Sequence, residues 1–257
     1  MRETWILEIL KFQESGVNVS VIFLVAIHSS DKAGLNAANN EADIHNDLLV
    51  LDLNDSYRMW SIKTISLLDY IIERCKKTVT NSPKIYRPVI GKINIDTVIN
   101  PKLLASLLLE LSEHEESEFC AGSVIQSAVV FRNATSRWFV PYTLYRKALY
   151  DDYPQGCIYF ISFPAAERLV QLAYCLSAFL YIDDSVIPGV MREALSIPLR
   201  DFSQFYLLNN FNIFKDTETG RNVEAYRNIA FIHNDKQLTY QDYDKIWKYL
   251  RTNNSTF

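Results

Sequence analysis

Between Val19 and Ile27 the chain reads VSVIFLVAI, β-branched and almost continuously apolar. A run of that kind predicts a strand buried on both faces, and its natural host is a parallel sheet covered by helices. A polar stretch, HSSDKAGLNAANNEADIHND, follows it. Next come a second apolar run, LLVLDL at 48–53, a turn and cap at NDSY, and MWSIKTISLLDYIIERCKK, apolar at helical spacing as far as Cys75. PVIGKINI at 88–95 reads as a third strand, and Asn100-Pro101 opens the helix PKLLASLLLELSEHEESE with proline at its favoured first position. The β-α-β-α pattern over roughly the first 110 residues predicts an α/β open sheet.

The second half has a different texture. SAVVFRN, RWFVPYTLY and CIYFIS read as short aromatic-rich strands or extended segments, followed by a helix near Ala165–Tyr174 and an apolar strand AFLYI that stops at Asp183-Asp184. TYQDYDKIWKYL at 239–250 reads as an amphipathic helix beginning at a Thr cap. With no repeat, low-complexity tract or flexible linker, residues 1–257 are expected to form one domain.

Composition narrows the function. Lys plus Arg number 26 against 30 Asp plus Glu, a net charge of −4 with no dense basic run, which argues against nucleic acid as a partner. The chain has only 7 glycines, none spaced as a dinucleotide or P-loop cradle, so any bound phosphate must be neutralised by other means. Val21–Ile27 is the longest apolar run, well short of the ~20 residues of a membrane span. Four cysteines (Cys75, Cys120, Cys157, Cys175) without C-x-x-C spacing fit either two disulfides or four buried thiols.

In an open α/β sheet, ligands bind beyond the carboxyl ends of the strands. Asn94 and Asp96 close the third strand, and alternation points them the same way, as oxygen ligands for a divalent ion or as a plain turn. Asp183 and Asp184 follow the AFLYI run. Adjacent carboxylates raise one another's proton affinity, as a general base requires, yet the same acids are ordinary at a helix N-terminus. His233 in AFIHND is either a metal ligand or a structural side chain, and Trp138, Phe139 and Tyr142 either stack on a sugar or fill the core.

These residues fall within a wider pattern. EADIHNDLLVLDLNDSYRMWSIKT at Glu41–Thr64 resembles the signature E-x(5)-D-[IL]-[IL]-x-x-D-F-x-D-S-Y-x-N-L-T-x-K-T of the β-1,3-galactosyltransferase and β-1,3-N-acetylglucosaminyltransferase family, with Glu41, Asp47, Asp52, Asp55, Ser56, Tyr57, Lys63 and Thr64 in place. RETW at 2–5 is similar to the family's R-x-T-W, and VIFLVA to its V-F-L-L-G strand. KINIDTVIN at 92–100 is similar to K-x-D-D-D-V-F-V-N, and RWFVPYTLYRKALYDDYP to K-W-Y-V-x(4)-Y-x(4)-Y-P. YIDDSVIPG at 181–189 is similar to the E-D-V-x-x-G block.

The resemblance implies a GT-A fold, here an α/β single domain with a mostly parallel central sheet, a nucleotide-sugar half at 1–110 and a smaller aromatic-rich acceptor half at 111–257. It implies inverting β-1,3-hexosyl transfer from UDP-galactose or UDP-N-acetylglucosamine to a glycan acceptor, a manganese (Mn²⁺) ion on the diphosphate, and a Golgi-lumenal, type II membrane location. Asp184 would be the base; Asp96 and His233 would hold the metal; Arg2, Lys63 and Asn94 would lie on the donor side and Trp138, Asp183 and Gly189 on the acceptor side. The chain departs from the pattern at Asn94 and Ile95, where the family has acids, and in the shortened loop YPQGCIYFIS. Weaker metal binding is the expectation, with a non-catalytic binding or assembly protein as the rival reading. With Met1 next to Arg2, the anchor, stem and first strand are expected to be missing, so that any membrane attachment comes through an anchor outside this chain.

Overall fold

The computed structural model describes residues 2–12, 18–79, 88–113, 117–178, 180–209, 212–219, 226–234 and 239–253. A kinked helical turn at Arg2–Ile6 leads into α1 (Leu7–Leu10). β1 (Phe23–Ala26), α2 (Lys32–His45) and β2 (Leu48–Leu51) form a parallel β-α-β unit. A single turn at Tyr57–Met59 opens α3 (Trp60–Val79), and β3 (Val89–Ile93), β4 (Val98–Ile99) and α4 (Pro101–Ser112) follow. β5 (Cys120–Ile125), β6 (Tyr153–Ser162) and α5 (Phe163–Cys175) come next. α6 (Asp183–Ser185) continues through a wide turn at Val186–Met191 into α7 (Arg192–Ala194). The chain closes with β7 (Leu199–Asp201), β8 (Tyr206–Leu208), α8 (Asn212–Thr219), β9 (Phe231–His233) and α9 (Tyr240–Asn253).

Helix ends follow the side chains that can satisfy free amides. The Asp31 carboxylate accepts from Gly34 N at 2.9 Å, and Asn46 closes α2 with φ 51°. The Asn100 amide accepts from Lys102 N and Leu103 N ahead of Pro101. Thr239 and Asp242 bond each other's backbone amides at 3.1 Å, a reciprocal cap for α9.

Among the described residues the sheets run β3-β6-β5-β7, β4-β9-β8 and β1-β2. The expected mostly parallel sheet is corrected here. β6 is antiparallel to both β3 and β5, and only β5-β7, β8-β9 and β1-β2 are parallel. The cause is the link from β5 to β6, which is a loop at 126–152 without the crossover helix that a parallel neighbour needs. SAVVFRN and RWFVPYTLY in that loop form no strand beyond a bridge between Val129 and Leu149. The Arg132 guanidinium instead donates to the Val140, Tyr145 and Lys147 carbonyls, satisfying them without a ladder.

Other expectations are revised as well. β1 is half-buried along most of its length rather than buried on both faces. The polar stretch after it holds the 14-residue α2, in which only Ala38 is buried. Leu180–Ile182 of the expected AFLYI strand joins no sheet, and Phe179 lies outside the described residues. The Tyr181 hydroxyl donates to the Phe139 and Arg137 carbonyls, turning the chain toward the aromatic loop, and a helix starts at Asp183. The four cysteines are free thiols.

β6 divides the core by its two-residue period. Ile158 and Phe160 face a cluster with Trp5, Ile9, Leu107 and Leu111, closed by Ile246 and Trp247 of α9. Tyr159 and Ile161 face a second cluster with Leu68 and Ile72 of α3 and Ala166, Leu169 and Val170 of α5. Asp183 sits beside that second cluster, its carboxylate bonded to Tyr159 in the second half of β6.

Candidate active site

The centre of the site is a buried carboxylate beside a partly buried one. Asp183 is 2% exposed, and its Oδ2 accepts from Thr64 Oγ1 at 3.0 Å and Tyr159 OH at 3.2 Å, with Lys92 Nζ at 3.4 Å. Three elements, α3, β6 and β3, therefore hold one carboxylate. Asp184 has far less support: its Oδ1 accepts from Ser185 N at 2.7 Å. Burial, then the neighbouring Asp183 charge, raises the Asp184 carboxyl from 3.8 to about 7, with Lys92 opposing the rise. A carboxylate so tuned can take a proton from a hydroxyl near neutral pH.

Two glycines make room for this pair. A Cβ on Gly156 would lie 2.4 Å from Asp184 Oδ2, so β6 passes the carboxylate at a distance only glycine allows. A Cβ on Gly189 would lie 3.0 Å from Tyr153 Cβ and 3.4 Å from the Asp184 carbonyl oxygen. Gly189 is thus buried in the helical run behind Asp184, a close-packing position.

A second pair lies at the end of β3 and β9. β3 stops at Ile93, so Asn94 and Asp96 occupy a turn rather than one face of a strand, and their partners differ. Asn94 Oδ1 accepts from Lys92 Nζ at 2.8 Å. Asp96 Oδ1 lies 3.5 Å from His233 Nδ1, and both atoms are buried without a hydrogen-bond partner. The antiparallel β4-β9 register, with Val98 opposite Ile232, brings them together. Among the described residues no group of three or more His, Cys, Asp or Glu side chains is placed to hold a metal ion.

The two pairs are joined through Gly156 and Cys157 of β6. Lys92 Nζ donates to Gly156 O at 2.9 Å, while Asn94 N and Thr97 Oγ1 donate to Cys157 O at 2.8 and 3.4 Å. Aromatic rings border the carboxylates. Tyr57 packs tilted against Trp60 with ring centres 4.5 Å apart and meets Tyr181 edge-on at 6.0 Å, and Lys92 Nζ sits 5.7 Å from the centre of the Trp60 ring and 5.6 Å from that of Tyr159. Burial first, then Asp184, pushes the Tyr57 phenol up to about 12, with Arg137 and Trp138 acting against the rise. Trp138, with Arg137 over its ring at 4.1 Å and Phe131 at 5.5 Å, therefore borders the Asp184 side.

Arg2 is placed elsewhere. Its guanidinium makes two 2.8 Å bonds to the Asp47 carboxylate, pairs with Glu41 at 2.7 Å and lies over Phe23. These residues mark the amino end of the β1-β2 pair, so the Arg2 ion pairs tie the N-terminal segment to it. Lys63 lies at the carboxyl side of β2, paired with Asp55 at 2.8 Å. Sequence reasoning had not singled out Lys92, Thr64, Tyr159 or Gly156 as site residues. The i, i+2 spacing of Lys92 and Asn94 could have pointed to Lys92, and the matched signature to Thr64; Tyr159 and Gly156 carry no such local signal.

Known proteins share this chain's pattern. It is 26% identical over 239 residues to the beta-1,3-galactosyltransferase bre-2 of Caenorhabditis elegans, covering 91% of this chain and 61% of that protein. It is 26% identical over 208 residues to lactosylceramide 1,3-N-acetyl-beta-D-glucosaminyltransferase A of Danio rerio, covering 80% and 52%. Beta-1,3-galactosyltransferase 1 of Mus musculus is 23% identical over 247 residues, covering 96% and 67%. The chain thus spans between half and two thirds of these relatives' length. Residues 1–203 match the family described as galactosyltransferase, and the chain belongs to that family.

Proposed function

We propose that the protein is an inverting, UDP-sugar-dependent β-1,3-hexosyltransferase of GT-A type acting on a glycan acceptor in the Golgi lumen. The observation that carries this reading is the Asp184 carboxylate, raised to about 7, beside Gly156 and bordered by Tyr57 and Trp138. Its relatives' names, two β-1,3-galactosyltransferases and a 1,3-N-acetylglucosaminyltransferase, support galactose or N-acetylglucosamine as the sugar transferred. Residues 1–110 would supply the donor side and 111–257 the acceptor side. No helix among the described residues is long and apolar enough to cross a membrane.

In this reading the acceptor hydroxyl gives its proton to Asp184 as its oxygen bonds C1 of the donor sugar. The C1–oxygen bond to the diphosphate breaks on the opposite face, and UDP leaves with that electron pair. Asp183 stays fixed by Thr64, Tyr159 and Lys92 and holds Asp184 in place through the adjoining backbone. Asp96 Oδ1 and His233 Nδ1, two buried atoms with no partner, suit a manganese ion as hard oxygen and imidazole ligands, and the diphosphate and water would complete its shell. Such an ion supplies charge neutralisation on the diphosphate, in place of a glycine cradle. Asp184→Asn tests the reading: transfer should fall by about 10²- to 10⁴-fold while UDP binding by calorimetry changes little. Full transfer by the variant would end it.

A further inference from the structure

Position 94 is where the resemblance places an acid beside the metal, yet the Asn94 side chain is turned toward Lys92. Lys92 is itself unusual. It is only 17% exposed in its side chain, lies between the Trp60 and Tyr159 rings, and reaches Asn94 Oδ1, Gly156 O and Asp183 Oδ2 at 2.8, 2.9 and 3.4 Å. Two of those three partners are neutral oxygens. The remaining one belongs to the carboxylate next to Asp184.

We propose that Lys92 is a positioning residue for the Asp183–Asp184 pair, and that Asn94 belongs to Lys92 rather than to the metal, its neutrality leaving the ammonium charge to the carboxylates. The inference deepens the proposed function, since it rests on Asp184 as the base. An acid at position 94 would sit 2.8 Å from the ammonium, form an ion pair there and draw its charge away from Asp183 and Asp184. A neutral amide fixes the lysine's direction without spending its charge.

The groups facing Asp184 make the effect readable. Asp183 adjoins it, Lys92 approaches from β3, Tyr153 and Tyr159 from β6, and Tyr57 from the turn before α3. Burial raises all three phenols, so none of them ionises between pH 5 and about 9.5, and Lys92 and Asp183 supply the formal charges.

The test reads the Asp184 proton by a route that needs no transfer activity. Urea unfolding is measured from pH 5 to 9.5 for the wild type, Lys92→Arg, Lys92→Gln and Asn94→Asp, each with and without Asp184→Asn, and the difference isolates the Asp184 contribution. That contribution weakens with rising pH and levels off where Asp184 is fully ionised in the folded protein. Lys92→Gln should move the levelling-off point up by about 1 pH unit and Asn94→Asp by about half a unit, whereas Lys92→Arg leaves it near the wild-type position. A merely structural lysine would lower stability equally at every pH. If Lys92→Gln fails to fold, Asn94→Asp, with Lys92 intact, still decides the matter. Calorimetry with manganese alone should give affinities within about threefold for wild type and Asn94→Asp. A tenfold gain in manganese affinity on Asn94→Asp would overturn the assignment of Asn94, and an unmoved levelling-off point in Asn94→Asp, and in Lys92→Gln where that variant folds, would overturn that of Lys92. Loss of the transfer reaction itself, by contrast, would be seen only in the Asp184→Asn transfer assay.

Discussion

Gly156→Ala is the smallest change that should disable the site while leaving every polar side chain in place. The new methyl carbon would fall 2.4 Å from Asp184 Oδ2, 3.0 Å from its Cγ and 3.3 Å from its Cβ. Restoring ordinary contact requires the carboxylate to retreat by about 1 Å. The retreat is constrained, because Asp184 Oδ1 accepts from Ser185 N at 2.7 Å and Asp183 next to it is held by Thr64, Tyr159 and Lys92. The strand cannot give way instead, since the Gly156 and Cys157 carbonyls are tied to Lys92 and Asn94. Overpacking of this sort costs about 1–3 kcal/mol of stability, and a displacement of about 1 Å at a reacting group lowers turnover by roughly 10²-fold. The assay is paired: urea unfolding for stability, and transfer kinetics with KM for the donor separated from kcat. The expected result is a kcat lowered by about 10²-fold with donor KM within a few-fold of wild type. Wild-type kcat in a folded Gly156→Ala protein would refute the claim that the Asp184 carboxylate, at this distance from β6, is the reacting group.

Asp184→Asn should also change stability in a pH-dependent way. With its carboxyl raised from 3.8 to about 7, the folded protein keeps a proton that the unfolded chain releases, so the residue's contribution is full below pH 3.8 and lost as pH rises to about 7. The variant should therefore match wild type near pH 4 and exceed it by up to about 4 kcal/mol at pH 8, measured by urea unfolding; no gain at pH 8 would deny the raised proton affinity. Arg2→Leu should cost about 1–3 kcal/mol by unlocking Asp47 and Glu41, with UDP affinity unchanged by calorimetry; a tenfold loss of UDP affinity would return Arg2 to the donor side.

Local pattern in the chain indicated the elements whose signal is local. α3, α4 and α9 announced themselves by apolar spacing and by the caps at Asn100 and Thr239, β1 by a β-branched run and β2 by a short apolar one. α2 did not, because a helix that buries only Ala38 needs no apolar stripe. The direction of β6 depends on whether the 126–152 link carries a helix, and aromatic residues held by Arg132 imitate strand composition closely. At the site, Asp183, Asp184, Asp96 and His233 were visible as residues with chemistry. Their partners were not, since Thr64 lies 119 positions from Asp183, and it is tertiary contact that brings Lys92, already bonded to Asn94 two residues on, to Asp183.

β6 meets a different core on each face, with Ile158 and Phe160 on one side and Tyr159 and Ile161 on the other, and the site lies along its middle, from Gly156 to Tyr159. Tyr159 reaches Asp183 only when the α3-α5 side has condensed, and Cys157 receives Asn94 and Thr97 only when the β4-β9 side has. A substitution that loosens either core, however far from Asp184, is therefore expected to shift one of the site's two anchors on β6, Tyr159 or Cys157.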